Sequence, residues 1–263
     1  MTILIDGDIL VYRMGFALEK EEEDLVPAWV GGFINDLVAQ VVEVLELREE
    51  PKVQCFISGE GKSTFRYSLY DLYKANRVQP KPKYYGLIRS YLEKVEEALV
   101  SQGQEADDDI GIIAHREQGE AIIVSLDKDL LQIPSYNYNF VKKKVTRVTR
   151  DSAQKFFYKQ LLMGDAADNI PGVDKIGDVK SDKILDGLEW EVDMFWAMLD
   201  QYLQSPSNDK KTLEEVLAEV LRNGQLLKIR QVENEMWDFP TDPWAVDLTE
   251  RRKQLIEGRK KKK

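Results

Sequence analysis

The sequence predicts an α/β fold, a parallel sheet with helices on both faces, followed by an all-helical part. Three observations predict it. Short apolar runs alternate with longer stretches of helical periodicity over residues 2–141. From Asp151 onward the pattern turns helical. Acidic residues fall where strands end or helices begin, the edge at which open parallel sheets place their ligands.

The elements follow in order. Residues 2–5 read as a short buried strand cut by Gly7, and 28–47 as a helix with Phe33, Leu37, Val41, Val44 and Leu45 on one side. Residues 53–57 form a second strand. The tyrosine-rich stretch 65–77 is mixed, and Pro80 and Pro82 then break it. Helices over 84–100 and 107–116 follow, then strands over 121–126 and 136–141. Beyond these, Asp151 caps a helix running to Met163, and 164–177 is a glycine-rich turn region. Further helices are predicted over 178–185, 191–202 and 212–222, with 205–211 a surface loop.

Bulk composition sets the limits. A chain of 263 residues has room for one large domain, or a large and a small one, and its 43% hydrophobic content supplies a core. Cys55 is the only cysteine, so no intramolecular disulfide forms, which suits a reducing cytosol. No basic segment followed by a long apolar stretch opens the chain, so no signal peptide is expected. No apolar run approaches the roughly 20 residues of a membrane helix, so the expected location is cytoplasmic. The net charge of −10 argues against a general nucleic-acid coating protein. The sign is uneven, however. Lys74, Arg77, Lys81 and Lys83 form one basic stretch, Lys142, Lys143, Lys144, Arg147 and Arg150 a second, and residues 259–263 a third.

The acids carry the chemistry. Asp6 and Asp8 follow an apolar strand, and Asp127 and Asp129 repeat that design after another. Taken alone, either pair is an ordinary turn after a strand. Glu105, Asp107, Asp108 and Asp109 open a helix. One or two acids there complement the helix dipole. Four within five residues repel unless a cation answers them, and an all-oxygen donor set suits magnesium or manganese. Two such ions about 4 Å apart could activate water and stabilise the leaving oxygen of a phosphodiester. Asp165 and Asp168 lie in a helix, glycine-rich turn, helix pattern that also contains Gly172, Val173, Ile176 and Gly177. Its backbone N–H groups can hold a DNA phosphate without reading sequence. The plain alternative is a helical hairpin. Residues 58–64 look like a P-loop, but Phe56 stands where that loop needs its first glycine. His115 is the only histidine, which argues against a serine–histidine triad or a histidine-rich zinc site.

In this order the motifs resemble the five-prime nuclease family: flap endonucleases, the five-prime nuclease domain of bacterial DNA polymerase I, and phage five-prime to three-prime exonucleases. The resemblance rests on Ile5-Asp6-Gly7, Phe65-Arg66 with Tyr73-Lys74-Ala75-Asn76-Arg77, Glu105-Ala106-Asp107-Asp108, Ser125-Leu126-Asp127-Lys128-Asp129 and the stretch 164–177. The nearest likeness is to podophage exonucleases, through the Tyr-Lys-Ala-Asn-Arg segment and the stretch from Asn223 to Arg230. The resemblance implies a PIN-like sheet domain over 1–150 with an arch or clamp near 65–84. A helical DNA-binding part over 151–263 would carry a helix-three-turn-helix near 155–187.

It implies one magnesium or manganese ion at Asp6, Glu105, Asp107, Asp108 and Asp127, and a second involving Asp129, Asp165 and Asp168. Lys74 and Arg77 would act on the scissile phosphate. Arg66, Lys74, Arg77, Gly172, Val173, Ile176, Gly177 and Lys180 would contact DNA, with a potassium ion at the hairpin. Two departures stand out. Val179 occupies the place where the family carries a basic residue, and Asp178 and Asp182 add acid nearby. The stretch 65–84 is short for a threading arch.

The implied activity is metal-dependent hydrolysis of DNA from the five-prime end by a monomer. Duplex ends, flaps and RNA–DNA hybrids are the substrates to test, and the setting would be phage replication, primer removal or host DNA degradation. A PIN-type ribonuclease would share the carboxylates without needing the hairpin. An inactive DNA-binding accessory would have no need of the complete acid set.

Overall fold

A computed structural model describes residues 1–261; Lys262 and Lys263, the end of the third basic stretch, lie outside the described residues. The chain divides into two compact units. Unit 1 comprises Met1–Phe65, Val78–Arg150 and Ile229–Glu235, and unit 2 comprises Arg66–Arg77, Asp151–Lys228 and Met236–Lys263. The change at residue 150 lies where the sequence turns helical. Two short segments cross the division expected from sequence: 66–77 belongs with unit 2, and 229–235 with unit 1.

Unit 1 is built on a six-stranded sheet. In chain order it contains β1 (Thr2–Asp6), α1 (Gly7–Ala17), α2 (Val26–Val44) and β2 (Lys52–Ile57). The chain then enters α3 (Phe65–Leu69), most of which belongs to unit 2. Unit 1 continues with α4 (Tyr85–Lys94), β3 (Leu99–Val100), α5 (Ala106–Arg116), β4 (Ile122–Val124), β5 (Ser135–Asn139) and β6 (Lys144–Val148). The strand order is β3-β2-β1-β4-β5-β6. All neighbours are parallel except β5 and β6, an antiparallel pair.

Hydrophobic side chains cover both faces. Ile3, Ile5, Cys55, Ile57, Ile122 and Val124 pack on one side with α1, α2 and α4. Leu4, Phe56 and Ile123 pack on the other with Ala106, Ile110 and Ala114 of α5. This alternation is the period of two that strands impose.

Three differences from the sequence reading have physical causes. The predicted helix over 84–100 ends at Lys94, because Glu97 takes a left-handed turn (φ +50°) and the chain re-enters the sheet as β3. The basic stretch after Phe140 supplies β6, an edge strand whose charges discourage pairing with another chain. Glu23–Val44 is long and apolar enough, by length and composition, to cross a membrane. Its inward residues Val26, Val30, Ile34, Leu37 and Val41 belong to the sheet's core.

Unit 2 is mainly helical. It holds α6 (Arg150–Met163), the two-residue strands β7 (Gly164–Asp165) and β8 (Ile170–Pro171), α7 (Asp178–Leu185), α8 (Glu191–Gln204), α9 (Leu213–Leu227) and α10 (Leu248–Lys261). Its core gathers Phe157, Tyr158, Leu161, Phe195, Met198, Tyr202, Val220 and Trp237. Thr212 caps α9 by accepting from Glu215 N–H while Glu215 accepts from Thr212 N–H. The basic run before the carboxyl terminus extends α10, which sequence periodicity did not reveal.

Candidate active site

The sheet topology brings two of the acidic clusters together. β1 and β4 are adjacent and parallel, with Ile5 opposite Val124, so Asp6 and Ser125 leave the same edge side by side. Ser125 Oγ donates to Asp6 Oδ2 at 2.6 Å and accepts from Asp127 N–H at 2.9 Å. Asp127 Oδ1 in turn accepts from Asp129 N–H at 2.8 Å. Asp6 Oδ1 caps α1 through Ile9 N–H. The helix can start this close to β2 only because residue 7 is glycine: a Cβ there would lie 2.6 Å from the Phe56 carbonyl oxygen.

A second chain of bonds ties in α5. Asp8 accepts from Ser58 N–H with both carboxylate oxygens, at 3.2 and 3.1 Å. Ser58 Oγ accepts from Ala106 N–H at 3.0 Å, at the first residue of that helix. The loop that resembles a P-loop thus joins the first acidic cluster to the second. Ser58 is a site-building residue that sequence reasoning missed, and only its place directly after an apolar strand could have suggested it.

The electrostatics are strained. Asp6 is 3% exposed, and its carboxyl is pushed up to about 7 by burial and by Asp8 and Asp127, against the bonds from Ser125 and Ile9. Asp8 is raised above the ordinary carboxylate range by burial, with Glu105 adding to the shift and Arg89 opposing it. Among the described residues no three carboxylate, imidazole or thiolate groups converge as a finished ligand shell. The carboxylates instead accept from hydroxyls and backbone N–H groups. Their chemistry nevertheless fits a hard divalent ion. The donors are oxygen, and the burial and carboxylate repulsion that raise the Asp6 carboxyl are costs that a cation would offset.

The four acids of α5 are not equivalent. Asp108 is fully buried, and its two oxygens accept from Glu105 N–H and Arg230 N–H, at 3.0 and 3.1 Å. Asp109 accepts from Gln104 Nε2. Asp107 is half-buried in the first turn, and Glu105 immediately precedes the helix. His115 lies exposed near the end of α5.

The sequence-predicted residues of unit 2 form their own constellation. β7 and β8 pair Asp165 with Ile170, closing a tight loop in which Asp165 Oδ1 accepts from Ala167 N–H at 2.7 Å. Asp168 is ringed by cations and a phenol. Arg77 Nη2 donates to Oδ1, Lys74 Nζ lies 3.8 Å from Oδ2, and Tyr73 Oη donates to Oδ2 at 3.0 Å. Lys74 takes a left-handed conformation (φ +53°) and its N–H donates to the Asp168 carbonyl at 3.0 Å. Lys74, Arg77 and Asp168 therefore form one patch, which sequence reasoning had assigned to separate tasks.

The hairpin residues sort by environment. Gly172 is held by the fold: an added Cβ would lie 2.1 Å from the Met163 carbonyl carbon and 2.3 Å from Gly164 N. Gly177 is exposed, with nothing within 4 Å of its Cβ position, and it opens α7. Val173 and Ile176 bury their side chains in the unit's core, and Lys180 is exposed. Asp178 and Asp182, read from sequence as acid near the hairpin, both pair with Lys159 at 2.7 Å. Arg66, expected at the DNA, is 3% exposed, with Nε donating to the Leu226 carbonyl and Nη2 to the Lys228 carbonyl, so it secures the end of α9.

Residues 1–159 match the family model of the 5'-3' exonuclease N-terminal resolvase-like domain. A 5'-3' exonuclease of Buchnera aphidicola subsp. Schizaphis graminum is 32% identical over 194 residues, covering 66% of each chain. DNA polymerase I of Bacillus caldotenax is 32% identical over 208 residues, 70% of this chain and 23% of that protein. The chain thus spans just under two thirds of the first relative's length and about a quarter of the polymerase. Among solved structures, T5 5'-exonuclease with bound zinc superposes with a TM-score of 0.62 at 19% identity, covering 97% of this chain and 98% of that one. The catalytic core of Rad2 in complex with DNA gives 0.50 at 14% identity, over 91% and 83% of the two chains. These two likenesses establish the fold.

Proposed function

The chain belongs to the 5'-3' exonuclease family, and from that premise we propose that it is a divalent-metal-dependent phosphodiesterase hydrolysing DNA from the five-prime end. The observation that carries this reading is the Asp6–Ser125–Asp127 linkage at the carboxyl edge of the parallel sheet, with the Asp6 carboxyl raised by burial and by Asp8 and Asp127. Metal-bound and DNA-bound relatives support it.

Asp6, Asp127, Glu105 and Asp107 are the residues that would hold magnesium or manganese in unit 1. Asp129 would join the ion-holding set of unit 1, while the part in metal binding that the family resemblance gives Asp165 and Asp168 is a proposal for unit 2 taken by itself. When bound, such ions neutralise phosphate charge and lower the pKa of water for in-line attack. Asp108 contributes by fixing the start of α5, and Asp8 by tying Ser58 to it. Lys74 and Arg77 are held in place by Asp168. They are the donors we assign to the charge that builds on the phosphate in the transition state.

At the hairpin, the exposed backbone around Gly177 and the side chain of Lys180 are assigned to a DNA phosphate, with potassium as the accompanying ion. Duplex five-prime ends and flaps are the proposed substrates, RNA–DNA hybrids a further one, and the active form a monomer. The test is a panel of labelled duplex, flap, single-stranded and RNA–DNA substrates, each with magnesium and with EDTA. The proposal expects magnesium-dependent release of five-prime-phosphorylated products from DNA. Cleavage of RNA alone, or equal cleavage in EDTA, would contradict it.

A further inference from the structure

Three of the four acids at the start of α5 are consecutive, so they fan out about 100° apart around its first turn, and the direction of each depends on how that turn is held. Something must hold that turn. A segment more than a hundred residues later in sequence, Ile229–Glu235, belongs to the same unit. Arg230 N–H donates to Asp108 Oδ1 at 3.1 Å. Arg230 is 9% exposed, and its guanidinium carbon lies 3.8 Å from the centre of the Phe65 ring. Nη1 donates to Gln104 Oε1 at 2.9 Å, and Gln104 Nε2 donates to Asp109 Oδ1 at 2.6 Å. Nε donates to the Glu235 carbonyl at 2.9 Å, which closes the segment on itself.

Ile229 N–H is held by Gln132 Oε1 at 3.2 Å. Gly111, one turn beyond Asp108, lies under the segment's backbone. A Cβ there would come within 2.3 Å of the Arg230 carbonyl oxygen. The segment therefore contacts α5 at successive turns, with Asp107 about 100° round the helix from Asp108 and about 40° from Gly111.

We propose that Arg230, through the strap Ile229–Glu235, is a positioning residue of the carboxylate centre: it fixes the first turn of α5, and so the placement of Glu105 and Asp107 toward a divalent ion. This inference rests on the metal reading above. Partners one step outside a metal's own ligands typically govern its affinity by about 10–100-fold. A lysine at position 230 has no planar fork to reach Gln104 and the Glu235 carbonyl together.

The test is manganese binding to the DNA-free protein, followed by electron paramagnetic resonance, beside thermal melts in EDTA. Arg230→Met is expected to bind manganese about tenfold or more weakly, and Arg230→Lys to fall between it and wild type. Gly111→Ala carries the same test without replacing the arginine side chain, since its Cβ meets the Arg230 backbone. Alanine favours a helix over glycine, yet it should weaken manganese binding because its methyl displaces the strap. Val220→Ala, in the core of unit 2, is the control: it should lower the melting temperature and leave manganese affinity unchanged. Affinities within twofold of wild type in folded Arg230→Met and Gly111→Ala would overturn the proposal, as would an equal loss in Val220→Ala. A wild-type protein that takes up no manganese would overturn the metal reading, and this inference with it.

Discussion

The carboxylates at the sheet edge of unit 1 and those around the loop of unit 2 solve the same problem differently. Asp6 has Ser125 Oγ and Ile9 N–H as hydrogen-bond partners, both uncharged, and its carboxyl is pushed up to about 7. Asp168 has Arg77 and Lys74, and Asp178 and Asp182 share Lys159. Acids that bring their own cations are already neutralised. Acids whose partners are uncharged await a positive charge from outside. The contrast separates Asp6 from Asp168, although the two look alike in sequence; it does not sort every acid, since Asp129 pairs with Lys128 and Asp165 accepts from Ala167 N–H.

The largest expected effect follows from unit 1. Asp6→Asn and Asp127→Asn should reduce cleavage by well over the roughly 100-fold that an outer metal partner accounts for. Both should bind DNA in EDTA at least as tightly as wild type, since each removes a negative charge. Asp108→Asn sharpens the point. Its amide would set a donor against the N–H groups of Glu105 and Arg230, so a melt should show lost stability where Asp6→Asn shows none.

Next come the cations of unit 2. Lys74→Ala and Arg77→Ala should each slow single-turnover cleavage by about 10²–10³. Rates within threefold of wild type for both would confine these residues to holding Asp168.

The pH dependence tests the same comparison without mutation. Asp6 is raised from 3.8 to about 7 in the folded protein. Between those values the folded state binds more protons than the unfolded state, so stability falls as pH rises. In EDTA the melting temperature should therefore drop from pH 5 to pH 8, by an amount worth on the order of a few kcal/mol. Magnesium should reverse the drop at pH 8, and metal affinity should weaken below pH 7 as the carboxyl protonates. A flat melt profile in EDTA would remove the argument from charge.

The smallest effect separates two glycines that sequence treats alike. Gly172→Ala should destabilise the fold, because its Cβ meets the backbone of Met163 and Gly164. Gly177→Ala should fold normally, since its Cβ position is open and its φ of −116° suits any residue. It should nevertheless weaken DNA binding several-fold, with the salt slope falling by about 0.9 for each phosphate the variant no longer neutralises.

Much of this architecture was legible in the sequence. Apolar runs ending in Asp6 and Asp127 identified buried strands of a parallel sheet, because burial on both faces leaves an unbroken hydrophobic signature; that the two are neighbours came from the structure. The run at 105–109 marked a helix start through the chemistry of its first turn. What stayed hidden depends on residues distant in sequence. No local pattern says that Asp108 is held by Arg230, that Asp168 is met by Lys74 and Arg77, or that Arg66 is buried against Leu226. The strand β6 was hidden because its charges belong to a sheet edge, and edge strands lack the apolar period of buried ones.

The measurement that tests the central claim most directly is single-turnover cleavage of a five-prime-labelled duplex as magnesium is titrated into metal-stripped protein, wild type beside Asp6→Asn. The account predicts no cleavage without magnesium, a saturable rise in wild type, and no recovery in Asp6→Asn at any magnesium concentration. Cleavage by the stripped protein, or a wild-type response in Asp6→Asn, would contradict it.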